Sequence, residues 1–324
     1  MPTPLFPRAP HRLLSVLGVL LCAALLAGPA QAQVAQSSAL FLRIEPDSRS
    51  AGMGNAGVAL ADNANAMFWN PSGLAFQDKT QVGLTHANWL PEFNANLFYE
   101  YLVGTYHVDG VGTFGGNVQF LNLGEIEVRN GDNVVLDVVS SYQLAVATSY
   151  GRKIGERLGV GTSVRFIYSK LAAAPGEGGG DGKASTLATD LSALYRSAPF
   201  SLAGTEATFS AGLNIANLGG TLDFNDQTRA TDPIPASFRI GPALTVDFDE
   251  YNSLTLATDF NKSLVSVDQE VTPDGDTVRV GNNGFQALFD SWGSARGQVV
   301  EGEAQSLSLL QQFTVGTGLE YWYS

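Results

Sequence analysis

The sequence predicts an all-β protein, a transmembrane antiparallel β-barrel stoppered by its own N-terminal segment. Three observations point there. Beyond residue 79, apolar and polar residues alternate with period two over about ten segments. After the leader, no apolar run approaches the roughly 18 residues that a membrane helix needs. The chain is nevertheless 10% aromatic, carries 36 glycines and starts with an export-type leader. A membrane barrel reconciles these facts, because its lipid-facing and lumen-facing residues alternate and no single strand looks strongly hydrophobic. A soluble β-sandwich would show the same alternation. What favours the barrel is the placement of Tyr99, Tyr101, Tyr142, Tyr150, Phe166, Tyr168, Phe248, Tyr251, Tyr321 and Tyr323 toward strand ends on one presumed outer face, as in interfacial girdles.

Residues 1–32 read as a signal peptide. Arg8 and Arg12 precede an apolar run from Leu13 to Leu26, too short to span a bilayer, and Ala30-Gln31-Ala32 offers the small residues that precede cleavage. Cys22, the only cysteine, leaves with this segment, so no thiol, disulfide or cysteine metal site is expected afterwards. Of 18 basic residues the leader removes two, which leaves 16 against 31 acidic ones. Nucleic acid is a poor partner for such a surface.

Residues 33–78 are expected to form a plug, or hatch. The stretch Phe41 to Leu74 is rich in small residues, with Gly52, Gly54 and Gly57 allowing backbone to approach backbone. Phe68 and Trp69 are large apolar anchors, and Asn70-Pro71 is a turn signal; an ordinary glycine-rich loop would share this composition. The run Pro46-Asp47-Ser48-Arg49-Ser50-Ala51-Gly52-Met53-Gly54, followed by Ala56-Gly57-Val58-Ala59, Asp62 and Trp69-Asn70-Pro71-Ser72-Gly73-Leu74, resembles the N-terminal signature of the PorV/PorQ family of outer-membrane proteins, itself similar to the FadL fatty-acid channels. Ser72 stands where the wider group usually has Ala. Phe41-Leu42-Arg43-Ile44-Glu45-Pro46-Asp47 favours the PorV type, and the likeness extends through Phe120 to Ile126 and on to Glu320-Tyr321-Trp322-Tyr323.

Residues 79–324 supply the expected wall. Phe114, Val118 and Phe120 oppose Thr113, Gly115, Asn117 and Gln119; Tyr142, Leu144, Val146 and Tyr150 oppose Ser141, Gln143, Ala145, Ala147 and Ser149. Leu158, Val160, Val164, Phe166 and Tyr168 oppose Gly159, Gly161, Ser163 and Arg165. Further strands are expected over 79–88, 98–108, 187–196, 207–217, 236–248, 253–261 and 313–323, with Pro242 implying a bulge or an unpaired position. Tight turns at His107 to Gly110 and Arg152 to Arg157 would be periplasmic. Long loops at 125–137, 172–186 and 264–312 would face outward. The Gly-rich run Glu177 to Gly182 lacks the ending of a phosphate loop and reads as a surface loop. Within 264–312, Phe285, Leu288, Phe289 and Trp292 fall on one face of a short helix, either resting on the barrel or capping its lumen, or docking a protein partner. The resemblance implies a barrel of about 14 strands, so either the barrel closes with fewer strands or, as is favoured because unpaired edges in lipid are costly, the chain is a fragment lacking its last strands.

Catalytic chemistry is not expected. Outside the leader the histidines are His86 and His107, both assigned outward, and no nucleophile elbow, HExxH helix or metal-ligand cluster is present. Some PorV relatives have been discussed as lipid A deacylases, and no catalytic set for that reaction is recognisable. Neither cofactor nor metal is called for. Glu100, Arg165, Asp190, Arg239, Asp259 and Glu320 are assigned to the lumen, pairing with one another and with plug residues such as Asp47 and Arg49, or lining a path. The PorV resemblance implies a type IX secretion component that binds the C-terminal signal domain of cargo, with the translocon channel, sortase-like PorU, and PorZ as partners in an outer-membrane setting. The rivals are a FadL-like channel for hydrophobic molecules and a PorQ-type scaffold.

Overall fold

The computed structural model describes residues 37–88, 96–171, 182–224, 231–265, 267–271, 277–293, 295–300 and 303–323; the expected signal peptide and most of the 172–186 loop lie outside them. Its main element is an 11-stranded antiparallel sheet. The strands are β1 (Gln81–Asn88), β2 (Phe98–Val108), β3 (Gly112–Arg129), β4 (Val135–Ile154), β5 (Leu158–Lys170), β6 (Lys183–Arg196), β7 (Phe200–Leu202), β8 (Thr205–Gly219), β11 (Ser237–Asp247), β12 (Asn252–Ser263) and β17 (Phe313–Tyr323). They pair in chain order from β1 to β17, with short β7 folded back on β8. Small two-stranded pieces lie in the connections: β9 (Thr221–Leu222) with β10 (Asp232–Pro233), β13 (Val267–Val271) with β14 (Thr277–Gly281), and β15 (Ala295–Val300) with β16 (Glu303–Leu307). Among the described residues no ladder joins β1 to β17, and no helix is long and apolar enough to cross a membrane.

Alternation explains the two faces of the sheet. On one, Val82, Leu84, Leu102, Phe114, Val146, Val164, Leu187, Ile240, Phe260 and Leu319 stand exposed. On the other, Asn117, Gln119, Ala145, Ala147, Ser163, Arg165, Asp190 and Asn214 are buried. A soluble protein would put its apolar face inside, so the inversion is the signature of a wall whose outer solvent is apolar. Aromatic rings reinforce it. Phe98, Phe120, Tyr142 and Tyr168 form a ladder across β2 to β5 with centroids 5.8–5.9 Å apart, and Phe114 meets Tyr150 at 4.9 Å near the opposite end.

Strand β2 corrects part of the expected girdle. Tyr99 and Tyr101 are almost fully buried, in one cluster with Phe41, Met67, Trp69 and Val103. Both faces of β2 are apolar, so parity could not say which tyrosines faced outward. The inner cluster, which forms only in three dimensions, decides it. The same parity moves His107 to the inner side, where Nδ1 meets the Thr113 hydroxyl at 2.9 Å, and moves Glu100 to the outer face, 3.3 Å from His86.

Two expected loops are also structured. β3 and β4 continue past the sheet body as one long hairpin over 125–137, after a register shift beside Gly124 (φ 74°). Segment 264–312 holds two hairpins and a helix. Pro242 behaves as an unpaired position without a bulge: Ile240 pairs with Phe260 and Ala243 with Ala257 in unbroken register, while Gly241 and Pro242 have no partner on β12. Connections 109–111, 155–157 and 248–251 are tight and share one end; those after β1, β3, β5, β8 and β12 are longer and share the other.

Residues 37–80 occupy the inner side of the sheet as short turns and two single-turn helices, α1 (Ser48–Gly52) and α2 (Ala66–Trp69). The wall makes room for this plug with glycine. A Cβ on Gly115 would stand 2.5 Å from Met67 Sδ, and one on Gly151 2.7 Å from the Leu74 Cβ. On Gly161, Gly212 and Gly318 it would overlap the backbone of Ser72, Val58 and Met53. Backbone has no rotamer by which to yield, so these close approaches require glycine. We expect Gly212→Val to lower stability in detergent micelles by about 1–3 kcal/mol, read as the urea midpoint. Gly131→Ala, which meets nothing within 4 Å, is expected to leave the midpoint unchanged.

Candidate functional site

Polar residues of the plug are matched, one by one, to polar residues of the wall. Asp47 caps α1, accepting from the Ser50 backbone N–H at 2.8 Å, and its second oxygen accepts from Trp69 Nε1 at 2.7 Å. Asn70, at the expected turn, is fully buried; its Nδ2 donates to the carbonyls of Val58 (2.8 Å) and Ala193 on β6 (3.2 Å). Asn214 on β8 donates to the Trp69 carbonyl at 3.0 Å, and the Ser72 N–H donates to Ser192 Oγ at 2.8 Å. Backbone groups that α1 and α2 are too short to satisfy thus find partners in the wall.

Two charged contacts fasten the plug to the late strands. Asp259 on β12 is buried, and its Oδ2 accepts from the backbone N–H groups of both Gly57 and Val58 at 2.9 Å. Arg49 forms a bidentate pair with Glu320 on β17, Nε to Oε1 at 2.7 Å and Nη2 to Oε2 at 2.8 Å, while Nη1 reaches Asp62 at 2.7 Å. The hydrogen bond to Glu320, followed by Asp62, pushes the Arg49 pKa further above its ordinary value, against burial, which lowers it. Trp322 lies 5.9 Å from this guanidinium. The fork geometry gives orientation as well as attraction.

The sequence-assigned lumen charges divide. Arg165 and Asp190 form a buried pair at 3.1 Å, joined by Asn217, which accepts from Arg165 and donates its N–H to Asp190. Arg239 stacks on the plug, 4.8 Å from the Trp69 ring and 5.5 Å from Phe68. Asp259 and Glu320 hold the plug as described. Glu100 is the exception, on the outer face with His86. Of the plug motif, Pro46, Gly52 and Pro71 make no side-chain polar contact; Met53, Gly54 and Gly57 lie where the plug meets β12 and β17 or the Trp69 ring.

The predicted short helix is α3 (Gly284–Asp290), capped by the Asn283 side chain accepting from the Gln286 N–H. Its two faces differ in burial. Gly284 and Ala287 are buried, Gly284 against the backbone of Asn217 to Gly219, whereas Phe285 and Phe289 are exposed. Leu288 is half-buried. Trp292 folds back on Phe238 at 5.4 Å and covers Lys262. The small residues allow closer packing than the aromatic ones, so the helix turns its bulky side outward at the loop-bearing end. Among the described residues no group of three His, Cys, Asp or Glu side chains is placed to hold a metal ion.

Residues 28–270, from before the plug through β12 and into β13, match the family described as type IX secretion system protein PorV. The chain belongs to the PorV family. It is therefore a component of the type IX secretion system. A search of curated proteins found no match. The motif residues Arg49, Trp69 and Asn70 bind plug to wall, and Asp47 holds α1 to Trp69 within the plug. Sequence reading did not find their wall partners Asn214 and Ser192, nor the core role of Tyr99 and Tyr101. Polar residues at inward parity were the available signal for the first two.

Removing the Asp259 carboxylate strands two buried N–H groups, at roughly 1–3 kcal/mol each. We expect Asp259→Ala to speed hydrogen exchange at Gly57 and Val58 and to lower the unfolding midpoint, with Asp259→Asn intermediate because one acceptor remains. Unchanged exchange in the Ala variant would remove Asp259 from the fastening.

Proposed function

We propose that this PorV-family chain is an outer-membrane, plugged barrel-type protein that binds the C-terminal signal domain of secreted cargo at its loop-bearing end and passes it to the surface attachment machinery. The observation that carries the reading is the sidedness of the molecule. The lumen is filled by the plug, while every longer connection and the exposed pair Phe285 and Phe289 (52% and 78% exposed) gather at one end. Exposed aromatic residues on a capped helix suit a protein partner. Residues 1–32 serve as the export signal, and the outward apolar face contacts lipid. The translocon channel, the sortase-like PorU, and PorZ are the partners to which this role connects it.

Binding, not catalysis, is the proposed mechanism. The plug is braced from β1, where Gln81 accepts from the Ala64 N–H at 2.8 Å, to β17, where Glu320 holds Arg49, so the free surface available to a large partner is the rim. The second reading, a FadL-like channel for hydrophobic molecules, needs an apolar pocket between plug and wall. The cleft there is lined largely by Arg43, Arg165, Arg239, Asn217, Ser237 and Asn261, which disfavours it. A PorQ-type scaffold shares the fold and differs in failing to bind cargo.

The deciding measurement is co-purification with an isolated cargo signal domain in detergent. The full chain is expected to retain the domain, and Phe285→Ser with Phe289→Ser to weaken retention about tenfold or more while the plug stays protease-resistant. Long-chain fatty-acid binding without cargo retention would establish the channel instead.

A further inference from the structure

One cleft between plug and wall concentrates positive charge in a chain whose formal net charge is −13. It is lined by Arg43 and Phe68 from the plug side and by Arg165, Asn217, Arg239 and Asn261 from the wall. Arg165 is balanced by Asp190. Arg239 is not balanced in that way: among the described residues it has no hydrogen bond or salt bridge, and the Phe68 and Trp69 rings hold its guanidinium in place. Asp259 and Glu45 act on it through space only; Asp259 Oδ2 accepts from the Gly57 and Val58 N–H groups, and its Oδ1 makes no hydrogen bond to Arg239. Arg43 is exposed at the cleft margin and, among the described residues, forms no salt bridge. Two buried polar atoms of the lining, Arg165 Nε and Asn261 Oδ1, have no hydrogen-bond partner among the described residues.

A guanidinium that is half withdrawn from water without a hydrogen-bonded acceptor, as Arg239 is, with the exposed Arg43 charge at the same cleft, is costly unless an anion offsets it. A buried donor without an acceptor adds to that cost. We propose that this cleft is an oxyanion site that takes a carboxylate or phosphate group entering from the loop-bearing end. Arg239, held flat against Trp69, presents its N–H edge as a preset fork; Arg43 closes over the anion from the margin, and Arg165 Nε supplies the remaining donor. Asn261 Oδ1 accepts from a protonated phosphate oxygen or a water. Phe68 and Leu42 are the apolar lining, enough to flank a head group and too little to sheathe a long chain. This site stands apart from cargo capture at the rim, so either is able to fail without the other.

Calorimetric titration of the full chain in a non-ionic detergent with inorganic phosphate, acetate and decanoate tests it. At least one of the three is expected to bind, and added sodium chloride to weaken binding. Arg239→Gln is expected to weaken it about tenfold or more. Because Arg239 also braces the plug, the exposed Arg43→Gln, with an expected weakening of about threefold, provides an independent check. Arg152→Gln, at the tight-turn end, should bind as the parent does. Phosphate binding alone identifies a phosphate site; acetate and decanoate binding alike identify a carboxylate site; tighter decanoate identifies an amphiphile head group. Absence of binding by all three, or parent-like affinity in both the Arg43 and Arg239 variants, overturns the proposal.

Discussion

The structure depends on a backbone being held against a backbone. Residues 37–80 carry little regular secondary structure, yet Ala56–Ala59 and Ala66–Ala75 are buried, and a buried peptide group without a partner is costly. The wall answers in two ways. Where the plug comes closest, the wall has glycine, as at Gly161, Gly212 and Gly318. Where plug N–H or C=O groups remain free, the wall supplies Asp259, Asn214, Ser192 and Gln81. The gap in the β11–β12 ladder at Gly241 and Pro242 belongs to the same arrangement. A Cβ on Gly241 would overlap the Asp259 carboxylate, so the missing side chain and the missing ladder bond leave room for that group.

Fastening the plug at both edges of the sheet affects what the protein is able to do. Arg49 reaches the last strand and Ala64 the first, so the plug ties together sheet edges that no ladder joins among the described residues. A lumen occupied by hydrogen-bonded backbone offers no open path. The long connections, the extended β3–β4 hairpin and the outward aromatic residues of α3 lie together at the rim.

Parity served well wherever the two faces of a strand differ in chemistry. In β3, β4 and β5 one face is apolar and the other small or polar, and the outward and inward sets agree with the exposure found. It failed on β2, where Tyr99, Tyr101 and Val103 oppose Leu102 and Tyr106 and both faces are apolar. Placing Tyr99 and Tyr101 outside also misplaced Glu100 and His107. For α3, the 3.6-residue period located the helix and not its orientation, because Gly284 and Ala287 pack more closely on β8 than phenylalanine is able to.

By itself the sequence determined the antiparallel wall, the position of nearly every long strand, the glycine-rich stretch that precedes them and the split between tight and longer connections. Each follows from a local rule: side-chain alternation, glycine density or turn chemistry. Only the tertiary structure decided which face of β2 is inner, which wall side chains receive the plug backbone, and that Arg239 and Arg43 share a cleft without a carboxylate. Those outcomes depend on residues more than a hundred positions apart meeting at hydrogen-bond distance, as Arg49 and Glu320 do, and no local pattern encodes such a meeting.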